Sequence, residues 1–288
     1  MGMRRFLTFL ETIRFEHTIF ALPFAYMALL LAVDGLPPAG LFLWITLAMV
    51  GARTVGMAVN RLVDMELDRR NPRTRSRPLV TGRITKKEVV LYTLLAGFLF
   101  LVSVYHLAPR THVLWPVVLV ALVFYPYTKR FTWLTHFALG LVYLMVPTGV
   151  WIAATNTLAP PAVFLGVAAA TWVTGFDILY ALQDVEVDRR EGIHSIPADF
   201  GIPASLAVAK GLHAVTVVAL LLAGRSGGFG SLYLLGVGVT AALLAYEHAI
   251  VRPDDLSRIH TSFFTVNGMV SVALLLFALL DRTALRNL

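Results

Sequence analysis

Two copies of one seven-residue pattern carry most of the polar chemistry of this chain. They are Asp64-Met65-Glu66-Leu67-Asp68-Arg69-Arg70 and Asp184-Val185-Glu186-Val187-Asp188-Arg189-Arg190. The first copy also has Asn60 four residues before Asp64. On a helix, Asn60, Asp64 and Asp68 fall at i, i+4 and i+8, on one face. Like charges at that spacing repel, so such a stripe calls for a positive occupant. Two stripes suggest facing carboxylate ledges, and the simplest filler is Mg2+, which takes a few carboxylates plus waters and ligand phosphates. Glu66 and Glu186 sit two positions off the stripes and point away from them.

A diphosphate ester is the ligand class that suits such a site, because its spread charge needs metal on one side and Arg or Lys on the other. The first copy is followed by Arg73, Arg75 and Arg77, and the second offers Arg189, Arg190 and His194. The paired Arg residues have a second reading, as anchors of helix ends at the phospholipid surface. Tyr125 and Lys129, at i and i+4, either reach a diphosphate oxygen or anchor a helix end at the interface. Metal and bases together would stabilise diphosphate as a leaving group. Departure from an allylic carbon leaves a carbocation, which needs a dry pocket with aromatic faces.

The elements that hold these residues are apolar. The chain has 288 residues, 58% hydrophobic and only 14% charged, with a mean hydropathy of +0.75. Soluble domains run at roughly 45–50% apolar and about 25% charged, so the composition predicts an integral membrane protein in the lipid bilayer. Cysteine is absent, which excludes disulfides and thiolate metal sites. The net charge of +7 does not point to nucleic acid, because the basic residues cluster between apolar spans. No cleavable signal peptide is read near the start.

A helical span takes about 20 apolar residues. Nine are read, at 17–33, 39–58, 88–107, 112–128, 133–154, 162–180, 205–223, 229–249 and 262–280. The expected fold is all-α: a polytopic membrane protein of nine transmembrane helices around a central cavity. Most Lys and Arg fall before the first span and around the even-numbered loops. Arg110, Arg225, Arg282 and Arg286 are on the other side. The positive-inside rule then puts the N-terminus and both motifs in the cytoplasm, at the inner (plasma) membrane of a bacterial-type cell. A single transmembrane domain, residues 1–288, is expected, with motif loops at about 59–87 and 181–204.

Arg53 lies inside the second span, seven residues before Asn60. A membrane-buried Arg is costly and a functional candidate by default. It either holds an aromatic carboxylate beside the metal site or pairs with Asp177 in the sixth span. Tyr180 takes, before Asp184, the place that Asn60 takes before Asp64, and with Arg53 it is a candidate for binding the aromatic substrate. His17, His136, His213 and His248 show no convergent spacing and read as packing residues.

The run Arg53-x6-Asn60-x3-Asp64-x3-Asp68 with Ser76-Arg77-Pro78-Leu79 resembles the first motif of the UbiA superfamily of intramembrane aromatic prenyltransferases. The segment Asp177 to Asp188, with Gly192-Ile193-His194-Ser195-Ile196-Pro197, resembles the second. Arg14 to Pro23 and Tyr125 to Arg130 are further matches, so the resemblance covers nearly the whole chain. It implies Mg2+-dependent transfer of a polyprenyl group from polyprenyl diphosphate to a ring carbon of a small aromatic acid. It implies that Asn60, Asp64, Asp68, Asp184 and Asp188 hold two Mg2+–diphosphate bridges, with Tyr125 and Lys129 near the diphosphate. One departure is His194, where several members have Lys.

The branch it is most similar to acts on 4-hydroxybenzoate in quinone biosynthesis. That branch has menaquinone-pathway relatives acting on 1,4-dihydroxy-6-naphthoate. Two other classes use similar residues. CDP-alcohol phosphotransferases have a single motif opening Asp-Gly, which this chain lacks. An ion-coupled transporter would place its acids near the bilayer midplane, whereas these lie at span ends.

Overall fold

Long apolar runs punctuated by Pro and Gly give a bundle of helices, and no strand forms among the described residues. The computed structural model describes residues 2–284. The side chains of Glu16, His17, Ile19 and Ala284 lie outside that description, as does Arg286. The first helices are α1 (Gly2–Thr12), α2 (Leu22–Ala32), α3 (Ala39–Arg70), α4 (Lys86–Tyr105), α5 (Thr111–Thr128) and α6 (Thr135–Thr155). They are followed by α7 (Pro160–Ala181), α8 (Val185–Glu191), α9 (Ile196–Gly227), α10 (Ser231–Ile250) and α11 (Asn267–Ala284).

Among the described residues eight helices, α3 to α7 and α9 to α11, are long and apolar enough to cross a bilayer. The ninth expected span is α2, which has 11 residues. At 1.5 Å per residue it rises roughly 16 Å, short of the hydrocarbon thickness of about 30 Å. A 3-10 turn at Phe15–Phe20 precedes it. Phe24, Met27 and Leu29 of α2 are buried in the main core with Trp172, Leu220, Tyr233 and Leu274. The outer helices instead turn Leu94, Leu95 and Phe98 of α4 and Val113, Val117 and Val120 of α5 outward, as lipid requires. Gly51 lets α3 touch α4, since a Cβ there would stand 2.8 Å from the Ala96 carbonyl oxygen.

Two departures from the expected boundaries shape the site. Helix α3 does not stop near residue 58 but runs 32 residues to Arg70. Nothing between Asn60 and Arg70 breaks a helix, and Pro72 disfavours helical geometry at Asn71. The whole first motif therefore rides on one continuous helix. The second motif does not. After α7 the chain tightens into a 3-10 turn at Leu182–Asp184, and Asp184 itself caps α8 with φ −108° and ψ 2°. Gly192 ends α8 in the left-handed region at φ 67°, and the Ser195 hydroxyl caps α9 by accepting from the Ala198 N–H at 3.1 Å. One further element is unusual: a π-helical turn at Thr261–Val266 leads into α11.

Candidate active site

A cavity of about 770 Å³ runs from the two motif segments into the apolar interior of the bundle. Its polar end carries Asn60, Asp64, Asp68, Arg77, Tyr125, Lys129, Asp184, Asp188 and His194. Arg53, Asp177 and Tyr180 also line it, and Ile45, Phe100, Leu114 and Val150 line its apolar reach. Of the sequence candidates for metal, diphosphate and aromatic binding, Arg75, Arg189 and Arg190 are off this wall.

Asp64 and Asp68 are buried on the inward face of α3, at 3% and 7% exposure. Each is met by a cation from another element. Lys129 Nζ is 2.5 Å from Asp64 Oδ2, and Arg130 Nη2 is 3.3 Å from Asp64 Oδ1. Arg77 Nη1 donates to both Asp68 oxygens at 2.6 Å. Asn60 Nδ2 donates to Asp64 Oδ2 at 3.2 Å, and its Oδ1 accepts from Arg61 Nη1 at 3.1 Å. The repulsion expected along the stripe is thus cancelled by organic cations.

The second ledge meets the first through the loop after α3. Asn71 Nδ2 donates to Asp184 Oδ1 at 2.8 Å, and Arg73 Nε donates to the same oxygen at 3.0 Å. Arg73 Nη2 pairs with Asp184 Oδ2, and its Nη1 donates to the Tyr180 hydroxyl at 3.0 Å. Partial burial acts to lower the Arg73 pKa, but the Asp184 hydrogen bond and charge outweigh it and raise it above the ordinary value. Among the described residues Asp188 carries no cation, and its carboxylate accepts one long bond from Ser195 Oγ at 3.4 Å.

Several residues sit differently from the sequence expectation. Arg189 leaves the cavity, because the Gly192 turn folds α9 back and brings the Ala198 carbonyl within 2.8 Å of Arg189 Nε. His194 turns its ring to Asp199, with Nδ1 3.2 Å from both carboxylate oxygens. Its backbone N–H donates to the Lys129 carbonyl at 2.7 Å, which ties the second motif to the end of α5. Tyr180 does not extend the second ledge as Asn60 extends the first. Its ring lies under the Arg73 guanidinium at 5.1 Å and against Phe263 at 4.1 Å. Arg53 Nη2 donates to the Arg14 carbonyl at 3.0 Å, and Asp177 takes the Nδ1 of His136 at 2.7 Å. His17, in the Arg14–Pro23 match, has its side chain outside the described residues.

Sequence reasoning missed Arg61, Asn71 and the His136–Asp177 pair. Arg61 is 8% exposed and bridges Asn60 to the Thr12 carbonyl, with Nε at 3.1 Å. The missing signal was the absence of a helix breaker before Asn71-Pro72, which makes Arg61 a helical residue beside the ledge rather than a loop residue.

The donor set is all oxygen, from carboxylates and one amide, and hard oxygen ligands suit Mg2+ rather than softer metals. Among the described residues no three acidic or His side chains already form a cation-binding cluster. The ledges face one cavity, and bound phosphate oxygens would complete a coordination shell there. In donor chemistry the residues fit the ion.

The match to known proteins is direct. The UbiA prenyltransferase family matches residues 21–269. The chain belongs to that family. It is a multi-pass membrane prenyltransferase. Among curated members it is similar to the 4-hydroxybenzoate octaprenyltransferase of Marinobacter nauticus, 33% identical over 247 residues, covering 84% of this chain and 82% of that one. Among solved structures it is similar to the apo structure of a UbiA homolog from Aeropyrum pernix K1. There the TM-score is 0.84 and the identity 31%, covering 92% of this chain and 98% of that one. The fold also matches a UbiA homolog from Archaeoglobus fulgidus bound to DMAPP and Mg2+, with a TM-score of 0.69 and 19% identity, covering 96% of this chain and 99% of that one.

Proposed function

We propose that this chain transfers a polyprenyl group from polyprenyl diphosphate to a ring carbon of a small aromatic acid, 4-hydroxybenzoate, in a Mg2+-dependent step of quinone biosynthesis. One observation carries this reading. A single cavity joins an acidic pole, met by Lys129, Arg77 and Arg73, to an apolar hollow inside the bundle. That shape and charge suit a ligand with a polyanionic head and a hydrocarbon tail. The names of the curated relatives supply the acceptor.

Asn60, Asp64, Asp68, Asp184 and Asp188 are the residues that would hold the metal. Bound there, Mg2+ would neutralise charge on the departing diphosphate. The chain's own cations do the rest. Lys129, Arg77 and Arg73, now on carboxylates, are the groups that turn to phosphate oxygens, with Tyr125 beside Lys129 on the wall. The bond from the allylic carbon to the diphosphate oxygen breaks, and the ring carbon ortho to the phenol hydroxyl bonds the freed carbon. The ring proton passes to a second-motif carboxylate or to the departing diphosphate. The apolar walls exclude the water that would otherwise capture the cation. Arg53, below the first ledge, holds the carboxylate of the aromatic acid. Arg53→Ala is then expected to raise the aromatic KM about tenfold while leaving the prenyl diphosphate KM unchanged. An unchanged aromatic KM gives Arg53 a structural role.

The reaction is tested with protein in detergent, geranyl diphosphate, Mg2+ or EDTA, and 4-hydroxybenzoate against 1,4-dihydroxy-6-naphthoate. Product with Mg2+ only, and with 4-hydroxybenzoate, is the expected result. Product with the naphthoate alone would move the chain to the menaquinone branch, and product in EDTA would overturn the metal assignment. The charge distribution, by the positive-inside rule, supports a cytoplasmic motif mouth. Because the chain has no Cys, single replacements such as Thr81→Cys and Thr157→Cys report sidedness by impermeant labelling of intact cells. Labelling of Thr81→Cys from outside would reverse the orientation.

A further inference from the structure

A second polar cluster lies away from the acid ledges, among residues that the transfer chemistry above does not use. Glu247 stands near the C-terminal end of α10 and is fully buried. Its Oε1 accepts from Ser262 Oγ at 2.7 Å and from Asn267 Nδ2 at 2.6 Å. Asn267 Nδ2 also donates to the Ser262 carbonyl at 3.0 Å, and Asn267 Oδ1 accepts from Trp172 Nε1 at 2.7 Å. The other Glu247 oxygen is 3.5 Å from His213 Nδ1. An ionisable side chain buried among membrane helices is costly and marks a functional site by default.

The placement of these bonds is specific. Ser262 lies in the first half of the π-helical turn Thr261–Val266, and Asn267 follows directly after it. Such turns are rare and concentrate at functional sites. Glu247 therefore staples the two ends of the turn, and Asn267 ties the staple to Trp172 on α7. What the turn carries is Phe263, on the cavity wall. Its ring is 4.1 Å from Tyr180 and 5.3 Å from Phe176. Trp172, Phe176 and Tyr180 recur every fourth residue on α7, so they share one face, and Trp172 packs on Phe176 at 5.0 Å. The face ends at Tyr180, whose hydroxyl takes Arg73, which in turn holds Asp184. An aromatic wall thus starts where the acidic pole ends. That is where a carbocation forms if the head group sits on the ledges, and aromatic faces attract cations.

We infer that Glu247 is a positioning residue for prenyl transfer: through Ser262 and Asn267 it holds Phe263 against Tyr180 and Phe176, completing the aromatic wall beside the diphosphate pole. This rests on the transfer reading above. The test is a double-mutant cycle between Glu247→Leu and Phe263→Leu. Each alone is expected to lower kcat about tenfold with the prenyl diphosphate KM within about twofold of wild type. The double variant is expected to be no worse than either single, because both remove one feature. Glu247→Gln keeps the accepting oxygen and is expected to stay within about twofold of wild type.

A Glu247→Leu enzyme with wild-type kcat, or losses that multiply in the double variant, would overturn the inference. Should Glu247→Leu fail to fold, Asn267→Ser takes its place in the cycle. Wild-type protein that forms no prenylated product at all sinks the transfer reading instead. In that case amide exchange over 261–266 still decides the staple: faster in Glu247→Leu but not in Glu247→Gln supports it, and unchanged exchange refutes it.

Discussion

Asp64 and Asp68 stand on a helix that runs unbroken from Ala39 to Arg70, whereas Asp184 caps a short helix after a 3-10 turn and Asp188 follows one turn later. The two segments share five of seven residues, yet the first ledge is buried and closed by Lys129, Arg130 and Arg77. Among the described residues the second has Arg73 and Asn71 on Asp184 and Ser195 alone on Asp188. The difference comes from what flanks each copy. Upstream of Asp64 the helix continues without interruption. Around Asp184 the chain must turn twice within a dozen residues to enter α9, and Gly192 and the Ser195 cap supply the second turn. A continuous helix fixes the spacing of its carboxylates, while a capped short helix lets its carboxylates adjust. On the proposed reading, the first ledge would set the geometry of the head-group site, and the second, whose Asp188 has a single long bond, would adapt to the ligand.

The sharpest way to break this comparison is to remove one carboxylate from each side. Asp64→Ala is expected to cut Mg2+-dependent turnover by about a thousandfold or more, since it removes a proposed metal ligand from the first ledge. Wild-type turnover in that variant would end the metal assignment. Stability without metal separates the ledges more cleanly. Asp64→Asn strands Lys129 over a buried site and is expected to cost about 3 kcal/mol, the low end for a broken buried pair because Lys129 keeps some water. Asp188→Asn breaks no ion pair and is expected to change metal-free stability by no more than about 0.5 kcal/mol. Denaturation in matched detergent with EDTA reads both, and equal losses would erase the distinction drawn between the ledges.

A smaller effect sharpens the link between them. Arg73 spans Asp184 and the Tyr180 hydroxyl with a planar fork that Lys cannot reproduce. Arg73→Lys keeps the charge but loses the bridge, and the expected result is a rise of about fivefold in the prenyl diphosphate KM with Mg2+ affinity little changed. An unchanged KM would mean that the second ledge needs only a positive charge there.

Much of this was legible in the sequence, and the misses have physical causes. The spans, the paired motifs and the cavity-lining role of Asn60, Asp64 and Asp68 follow from helical periodicity, which is local. Arg189 was misplaced because its partner, the Ala198 carbonyl, depends on a backbone turn that periodicity does not see. Spacing leaves Lys129 as either a diphosphate contact or an interfacial anchor, and its pairing with Asp64 depends on which helix ends meet. Glu247 and Asn267 lie 20 residues apart on different helices, and His213 and His248 read as packing residues when taken singly. The useful signal was available: an acid and an amide inside two otherwise apolar spans, each needing a partner in a medium that offers none.

The smallest expected effect lies at the rim. Arg70 Nη1, at the end of α3, reaches Glu191 Oε2, at the end of α8, at 3.1 Å, and the Arg70 side chain is 58% exposed. This contact joins the ends of the two motif helices, and solvent screens its Arg70 end while Glu191 is 14% exposed. Exposed pairs of this kind contribute little, and salt weakens them further. Glu191→Gln is therefore expected to move Tm by less than about 2 °C and to leave both KM values unchanged at any ionic strength. If the variant instead lost several degrees, or gained a salt-dependent KM, the second ledge would be held in place from its rim. The adaptable character assigned to it would then belong to Asp188 alone, because Arg73 and Arg70 would together pin the rest of the segment to α3.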